Sequence, residues 1–299
     1  MSRLAAHAAL LSAAAIWGGG FIAQADAMRG IGPLWFTVLR FGLAALAMLP
    51  VALAERRSAR TVLRGRDAKL LFATGLVFSA ASLLQQFAIT RTSVTHVGFL
   101  TGLYVLFVPV LGALVLRQVP PPAVLAAAAM ALGGTWLIGG GLDGLNGGDA
   151  LAAGCGLGFA AQILLLDLVV RRTGRPATAV LIQSALCAGL ALPLAAMAEP
   201  LMMAALPSIV PALLFAGLLS GGLAFMLQAV GQAGTAPAVA AVLLMSESLF
   251  AALFAAVLLG ERLSPTGWAG CGLLFMSLIV AQAAPAREAA RRGQAGIRA

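Results

Sequence analysis

Ten apolar runs follow one another from residue 4 to residue 283, with almost no soluble chain between them. They cover approximately 4–25, 33–54, 68–89, 94–116, 121–140, 149–170, 177–198, 208–231, 237–259 and 265–283. A spanning helix needs about 20 apolar residues, so nearly every run is long enough to cross a bilayer. Proline punctuates the starts at Pro33, Pro122, Pro176, Pro237 and Pro265, where a missing backbone donor costs least. The connections are short, and only 55–67 and the tail from 285 are polar segments. The expected fold is therefore an all-α integral membrane protein with ten transmembrane helices.

Charge makes up 10% of the 299 residues, against roughly 25% in a soluble domain, which rules out a soluble enzyme. The net charge of +9 would suggest nucleic acid in a soluble chain, but in a membrane chain its placement matters first. Counted loop by loop with the N-terminus inside, fifteen basic residues fall on one side: Arg3, six between Arg56 and Lys69, Arg117, Arg171, Arg172, Arg175, and four in the tail. Only Arg29, Arg91 and Arg262 fall on the other side, and Arg40 lies within a span. The positive-inside rule then puts both termini in the cytoplasm and removes the case for nucleic acid. Trp35, Trp136 and Trp268 fall near outer span ends, where aromatic belts sit, while Trp17 lies mid-span.

Arg3 and the small residues Ala23, Ala25 and Ala27 resemble a secretory signal with its cleavage site. The apolar stretch is too long for a signal, and Trp17-Gly18-Gly19-Gly20 is an odd interruption for a segment to be discarded, so this run reads as the first span. Cys155, Cys187 and Cys271 all lie in apolar runs without paired spacing, which implies neither a disulfide framework nor a zinc site.

Shifting the chain by 142 to 144 residues places Gln86 on Gln228, Trp17 on Phe159, and the string Val115–Pro121 on Leu259–Pro265. The halves run from 1 to 143 and from 144 to 284, with a basic cytoplasmic tail over 285–299. Five spans per half is an odd number, so equivalent helices must cross in opposite directions, giving inverted-topology repeats. The basic connection between spans two and three corresponds to one that holds Glu199 and no basic residue, as inversion requires. Inverted repeats are a transporter architecture, with substrate near the midplane between the halves.

Several strings carry a family resemblance: Trp17-Gly18, Leu39-Arg40-Phe41, and above all Met245-Ser246-Glu247-Ser248-Leu249-Phe250 running into Leu259-Gly260-Glu261-Arg262-Leu263. Over residues 4–283 the chain resembles the EamA family of the drug/metabolite transporter superfamily, and within it a YddG-type aromatic amino-acid exporter. The resemblance implies export of amino acids or related metabolites across a bacterial inner membrane, by rocking of two halves around a central cavity. One departure is Gly158-Phe159, where many members repeat the first-half tryptophan.

Polar side chains are costly in hydrocarbon, so the few inside the spans are informative. Gly75, Ser79, Ser82 and Gln86 recur at helical spacing, as do Gly217, Gly221, Gln228 and Gln232, and Gln162 shares a face with Gly154 and Gly158. Such stripes either face a cavity or pack helices, since small residues let backbones approach. Glu247, near the middle of the ninth span, has no base within four positions. It can bind a substrate ammonium, carry a proton, or accept hydrogen bonds from helix-end amides. Arg40 can bind a carboxylate, but a structural role fits better. Asp167 stands four residues before Arg171, the spacing of a helix-face ion pair.

The remaining substrate-binding candidates are Trp17, Thr101, Tyr104, Met245 and Ser248. Aromatic faces suit apolar groups and cations, and methionine supplies an adaptable wall. Gly18, Gly19 and Gly20 either let the first helix bend or pack it closely. Gly154-Cys155-Gly156-Leu157-Gly158 lies inside a span with no strand before it, so it is not a nucleotide loop. His7 and His96 show neither catalytic nor metal-ligand arrangements, which argues against an enzyme, a metal site or a cofactor. The expectation is a monomer in the lipid bilayer that moves a small molecule such as a neutral or aromatic amino acid. Efflux of a lipophilic cation is the alternative, and a non-transporting receptor or structural protein is the different-class alternative.

Overall fold

The computed structural model describes the backbone of residues 1–59, 63–117, 119–139, 145–200, 206–258, 260 and 262–297. Side chains at 21, 22, 25, 26, 29, 94, 95, 258 and 284–297 lie outside the description, so Glu261 and the basic tail are not placed. The helices are α1 (Arg3–Gly30), α2 (Pro33–Ser58), α3 (Gly65–Ile89), α4 (Val94–Thr101), α5 (Tyr104–Leu116), α6 (Pro122–Gly139) and α7 (Gly147–Thr173). Next come α8 (Pro176–Ala198), α9 (Leu206–Leu214), a π-helical segment (Phe215–Ala224), α10 (Phe225–Ala233), α11 (Pro237–Leu244), α12 (Glu247–Leu258) and α13 (Pro265–Ile297). No strand occurs among the described residues.

All five prolines expected at span starts open helices, those of α2, α6, α8, α11 and α13. Ser2 caps α1 by accepting from the Ala5 amide at 3.2 Å. Asn146 and Asp149 form a reciprocal capping box at the start of α7, and Gly174, at φ +64°, ends that helix in the left-handed region. Among the described residues, nine helical segments are long and apolar enough to cross a membrane. The 28-residue α1, five of whose side chains are undescribed, is not counted among them.

The exterior is apolar: Leu46, Phe72, Leu114, Met197 and Val257 are exposed, while glutamines, threonines and serines are buried. This inverts the pattern of a water-soluble protein and fits a lipid-facing surface. Packing interleaves the halves. The first helix, α1, lies against α10, α12 and the π segment, whereas α7 lies against α3, α4 and α5. The long helices α2 and α8 run antiparallel, each capped at its N-terminus by a glutamate from the other's C-terminal end. At the α6 to α13 crossing the backbones almost touch, since a Cβ on Gly134 would sit 2.8 Å from the Gly270 carbonyl.

Two spans expected to be continuous are broken at matching places. After Thr101 and after Leu244 the α-helical ladder gives way to a tight turn, and it resumes at Tyr104 and at Glu247. The hydrogen bonds correspond one by one: the Leu103 amide donates to Leu100 and the Ser246 amide to Leu243, each at 3.2 Å. Phe107 then donates to Leu103, and Phe250 to Ser246, at 3.0 Å. Ser246 adds a hydroxyl bond to the same Leu243 carbonyl at 2.6 Å. The Met245 side chain lies directly on Gly102, so the two breaks touch. The eighth span is interrupted as well, by the ten-residue π segment, a helical form that recurs at functional sites.

Candidate functional site

A central cavity lies beside the two breaks. Six of the expected site residues line it: Trp17, Thr101, Tyr104, Gln162, Gln228 and Glu247. Arg40, expected to be structural, lines it too, together with Gln24, Gln85, Phe159, Ile163, Phe225 and Leu244. Its free volume is about 60 Å³, room for a few water molecules.

Tyr104 and Glu247 reach the cavity because each is the first residue after a helix break, 143 positions apart. Glu247 is 6% exposed and Arg40 is 4% exposed. The Arg40 guanidinium donates to the Ala216 carbonyl at 3.2 Å, to Gln24 Oε1 at 2.5 Å and to Ser220 Oγ at 3.0 Å. It also sits 4.9 Å from the centre of the Phe41 ring. These bonds tie α2 to α1 and to the π segment, as a structural role requires, yet every acceptor is neutral. Among the described residues neither Arg40 nor Glu247 has a charged partner, so one cavity is bordered by a basic and an acidic group, each without a counter-ion. Burying a charge without a counter-ion is costly, and a ligand carrying both signs would relieve both.

A chain of amides backs the cavity. Gln228 Nε2 donates to Gln162 Oε1 at 3.3 Å, and Gln162 Nε2 donates to Gln183 Oε1 at 3.2 Å, which links α10, α7 and α8. Gln24 Oε1, already bound to Arg40, also accepts from Gln86 Nε2 at 3.1 Å. Among the groups buried without hydrogen-bond partners are Gln228 Oε1 and Gln183 Nε2 at the two ends of that amide chain, Gln86 Oε1 and the Tyr104 hydroxyl. On the apolar side, Trp17 packs on Phe225 at 4.8 Å between ring centres, and Phe225 meets Phe78 edge-on at 4.9 Å. The Trp17 indole donates to the Ser220 carbonyl in the π segment at 3.0 Å, which fixes the ring.

Five expected binding residues stand outside the lining. Ser79 donates to the Gly75 carbonyl of its own helix at 2.7 Å, and Ser82 is buried at 2% exposure. Gln86 acts through Gln24. Met245 is the packing contact on Gly102, and the half-buried Ser248 donates its amide to the Met245 carbonyl at 3.3 Å. The glycine stripes are helix-packing surfaces: Gly75 abuts Leu186 of α8, and Gly217 and Gly221 abut Leu43 and Ala44 of α2. Within α1, which stays helical through its glycines, Gly18 presses on the Glu247 carbonyl and the Ala251 amide, whereas Gly19 and Gly20 have more room. Asp167 and Arg171 form the expected ion pair at 2.8 Å. Arg171 also donates to the Gln232 and Thr235 carbonyls.

Gln24, Gln85 and Phe225 were missed from sequence. The two glutamines carry the same signal as Gln86, a polar residue in an apolar run, while nothing local distinguishes Phe225 from the other buried phenylalanines. His96 and Asp149 pair at 2.9 Å near the start of α7, outside the cavity lining. Among the described residues no group of three His, Cys, Asp or Glu side chains comes together to hold a metal.

The EamA-like transporter family matches residues 4–140 and again residues 146–282. An uncharacterized transporter of Archaeoglobus fulgidus is 29% identical over 280 residues, spanning 94% of this chain and 86% of the relative. The uncharacterized transporter YwfM of Bacillus subtilis is 28% identical over 289 residues, spanning 93% of this chain and 94% of that protein. A solved crystal structure has the same fold at a TM-score of 0.78 and 20% identity, covering 94% of this chain and 96% of its own.

Proposed function

This chain belongs to the EamA-like transporter family and is a multi-pass membrane protein, and we propose that it exports neutral amino acids, aromatic ones included, across a bacterial inner membrane by alternating access. In this reading ten spans form two inverted five-helix halves, 1–143 and 144–284, with both termini in the cytoplasm. The 142 to 144-residue shift, the matching breaks and the antiparallel α2 and α8 support the inversion.

The observation that carries the substrate class is the pair of groups without counter-ions, basic Arg40 and acidic Glu247, on one cavity. A zwitterion brings an ammonium to one and a carboxylate to the other. Trp17, Phe159 and Phe225 offer faces for an aromatic or aliphatic side chain. Small-molecule sites run to roughly 300–1,000 Å³, well above the 60 Å³ here, so substrate entry is accompanied by opening of the cavity. That is the motion alternating access requires.

Efflux of a lipophilic cation is the second reading, favoured by Glu247 beside the Trp17 ring. It leaves Arg40 without a counter-ion, which makes it the weaker fit. Purified protein in liposomes, tested by counterflow with labelled Phe, Trp, Thr and Met beside a cationic dye, distinguishes the two. Amino-acid exchange that is lost in Glu247→Gln is expected, while dye movement without amino-acid movement would replace the first reading with the second.

A further inference from the structure

Hydrogen-bonding capacity around Glu247 is unbalanced, and the imbalance specifies the cationic end of the ligand. An ionised carboxylate only accepts, and Glu247 carries no hydrogen bond among the described residues. Gln228 lines the same cavity with its donor already given to Gln162 and its acceptor Oε1 buried at 2% residue exposure without a partner. Gln162 is in turn bonded to Gln183, both are 0% exposed, and the chain ends on the Gln183 Nε2, which is buried without a partner. Among the donors on the same lining, the Tyr104 hydroxyl is 5% exposed and also without a partner.

We propose that Glu247, Gln228 and Tyr104 form a subsite for a primary ammonium, in which the Gln228 carbonyl oxygen discriminates against N-alkylated cations. The proposal rests on the cavity being the substrate site. A primary ammonium supplies three donors, enough for both Glu247 and Gln228. A quaternary ammonium satisfies Glu247 by charge alone and leaves the Gln228 acceptor unpaired. A buried acceptor left without its partner beside a charged ligand weakens binding by about tenfold or more. Tyr104 then has an acceptor in the bound carboxylate or in Glu247 itself, and a bound ammonium favours the Gln228 orientation that turns its oxygen to the ligand.

The test uses the full-length protein in detergent for binding and in liposomes for transport. Phenethylamine and its N-trimethyl analogue are titrated against the wild type, and Phe is compared with N,N-dimethylphenylalanine as a counterflow substrate. The wild type is expected to prefer the primary amine by about tenfold or more, and Gln228→Met, similar in volume but without the acceptor, to bring the ratio within about twofold. Equal binding of the two amines by the wild type, binding of neither, or undiminished discrimination in Gln228→Met would overturn the proposal. The wild-type ratio decides alone if the variant does not fold. Preference for the primary amine with no amino-acid movement leaves the subsite standing and defeats the transport reading. Amino-acid movement indifferent to N-methylation does the reverse.

Discussion

Glu55 and Glu199 stand 144 residues apart, and each caps the start of the helix at whose far end the other lies. Glu199, just beyond α8, accepts from the Leu34 amide at 3.0 Å and the Trp35 amide at 3.1 Å at the start of α2. Glu55, near the end of α2, accepts from the Ala177 amide at 3.0 Å, the Thr178 amide at 2.8 Å and the Thr178 hydroxyl at 2.6 Å at the start of α8. Both carboxylates meet the positive ends of helix dipoles and orphan amides together. The result is an antiparallel pair clamped at both ends.

Removing either clamp leaves two amides unpaired, so Glu55→Ala and Glu199→Ala should each destabilise the protein by about 1–3 kcal/mol. Along α2 the step from Leu34 to Glu55 is 21 residues, roughly 32 Å at 1.5 Å per residue. The two losses should therefore add in the double variant. Thermal unfolding in detergent measures this, and a double variant no less stable than the worse single one would contradict independent clamps.

Gly18 and Gly19 should respond oppositely to alanine. A Cβ at Gly18 would lie 2.7 Å from the Glu247 carbonyl and 2.8 Å from the Ala251 amide, both backbone atoms, whereas at Gly19 the nearest atom is 3.6 Å away. Gly18→Ala should push α12 off α1, lowering both thermal stability and transport. Gly19→Ala should be within about 0.5 kcal/mol of wild type or better, because alanine is the stronger helix former. Equal tolerance of both would mean that the α1 to α12 contact is looser than described.

Arg40 holds three acceptors on two other segments, a geometry that lysine cannot reproduce. Arg40→Lys should lower the melting temperature while keeping some discrimination for a carboxylate. Arg40→Gln should weaken Phe more than phenethylamine, which lacks the carboxylate, in a side-by-side binding titration. A uniform loss for both ligands would confine Arg40 to its structural ties.

The proposed cytoplasmic termini rest on the fifteen-to-three split of basic residues. A green fluorescent protein fused after residue 299 should fluoresce, and alkaline phosphatase fused near Arg91 should be active. The opposite pattern at both places would invert the orientation and turn export into uptake.

The spans were legible because their signal is local: apolar runs of the required length, with prolines where helices begin. The ion pair of Asp167 with Arg171 was legible for the same reason, being one turn apart on one helix. The site was only partly legible. Glu247, Trp17, Tyr104, Thr101, Gln162 and Gln228 stood out as polar or aromatic residues at membrane depth, and all six line the cavity. Ser79, Met245 and Ser248 stood out equally well but serve other contacts, and Ser82 is buried outside the lining. A hydroxyl that returns to its own helix and one that faces a cavity look alike in sequence.

Periodicity, charge placement and internal similarity thus determined from the sequence alone that the chain is a helical membrane protein with two related halves. Those properties depend on partition between water and lipid, residue by residue. The breaks at Gly102 and Met245, the π segment, and the sharing of one cavity by Arg40 and Glu247 were decided by tertiary structure. Each depends on groups brought from far along the chain, such as the Trp17 indole on the Ser220 carbonyl 203 residues away. In a medium that offers no hydrogen bonds, the identity of the partner decides which polar residue is free to meet a substrate.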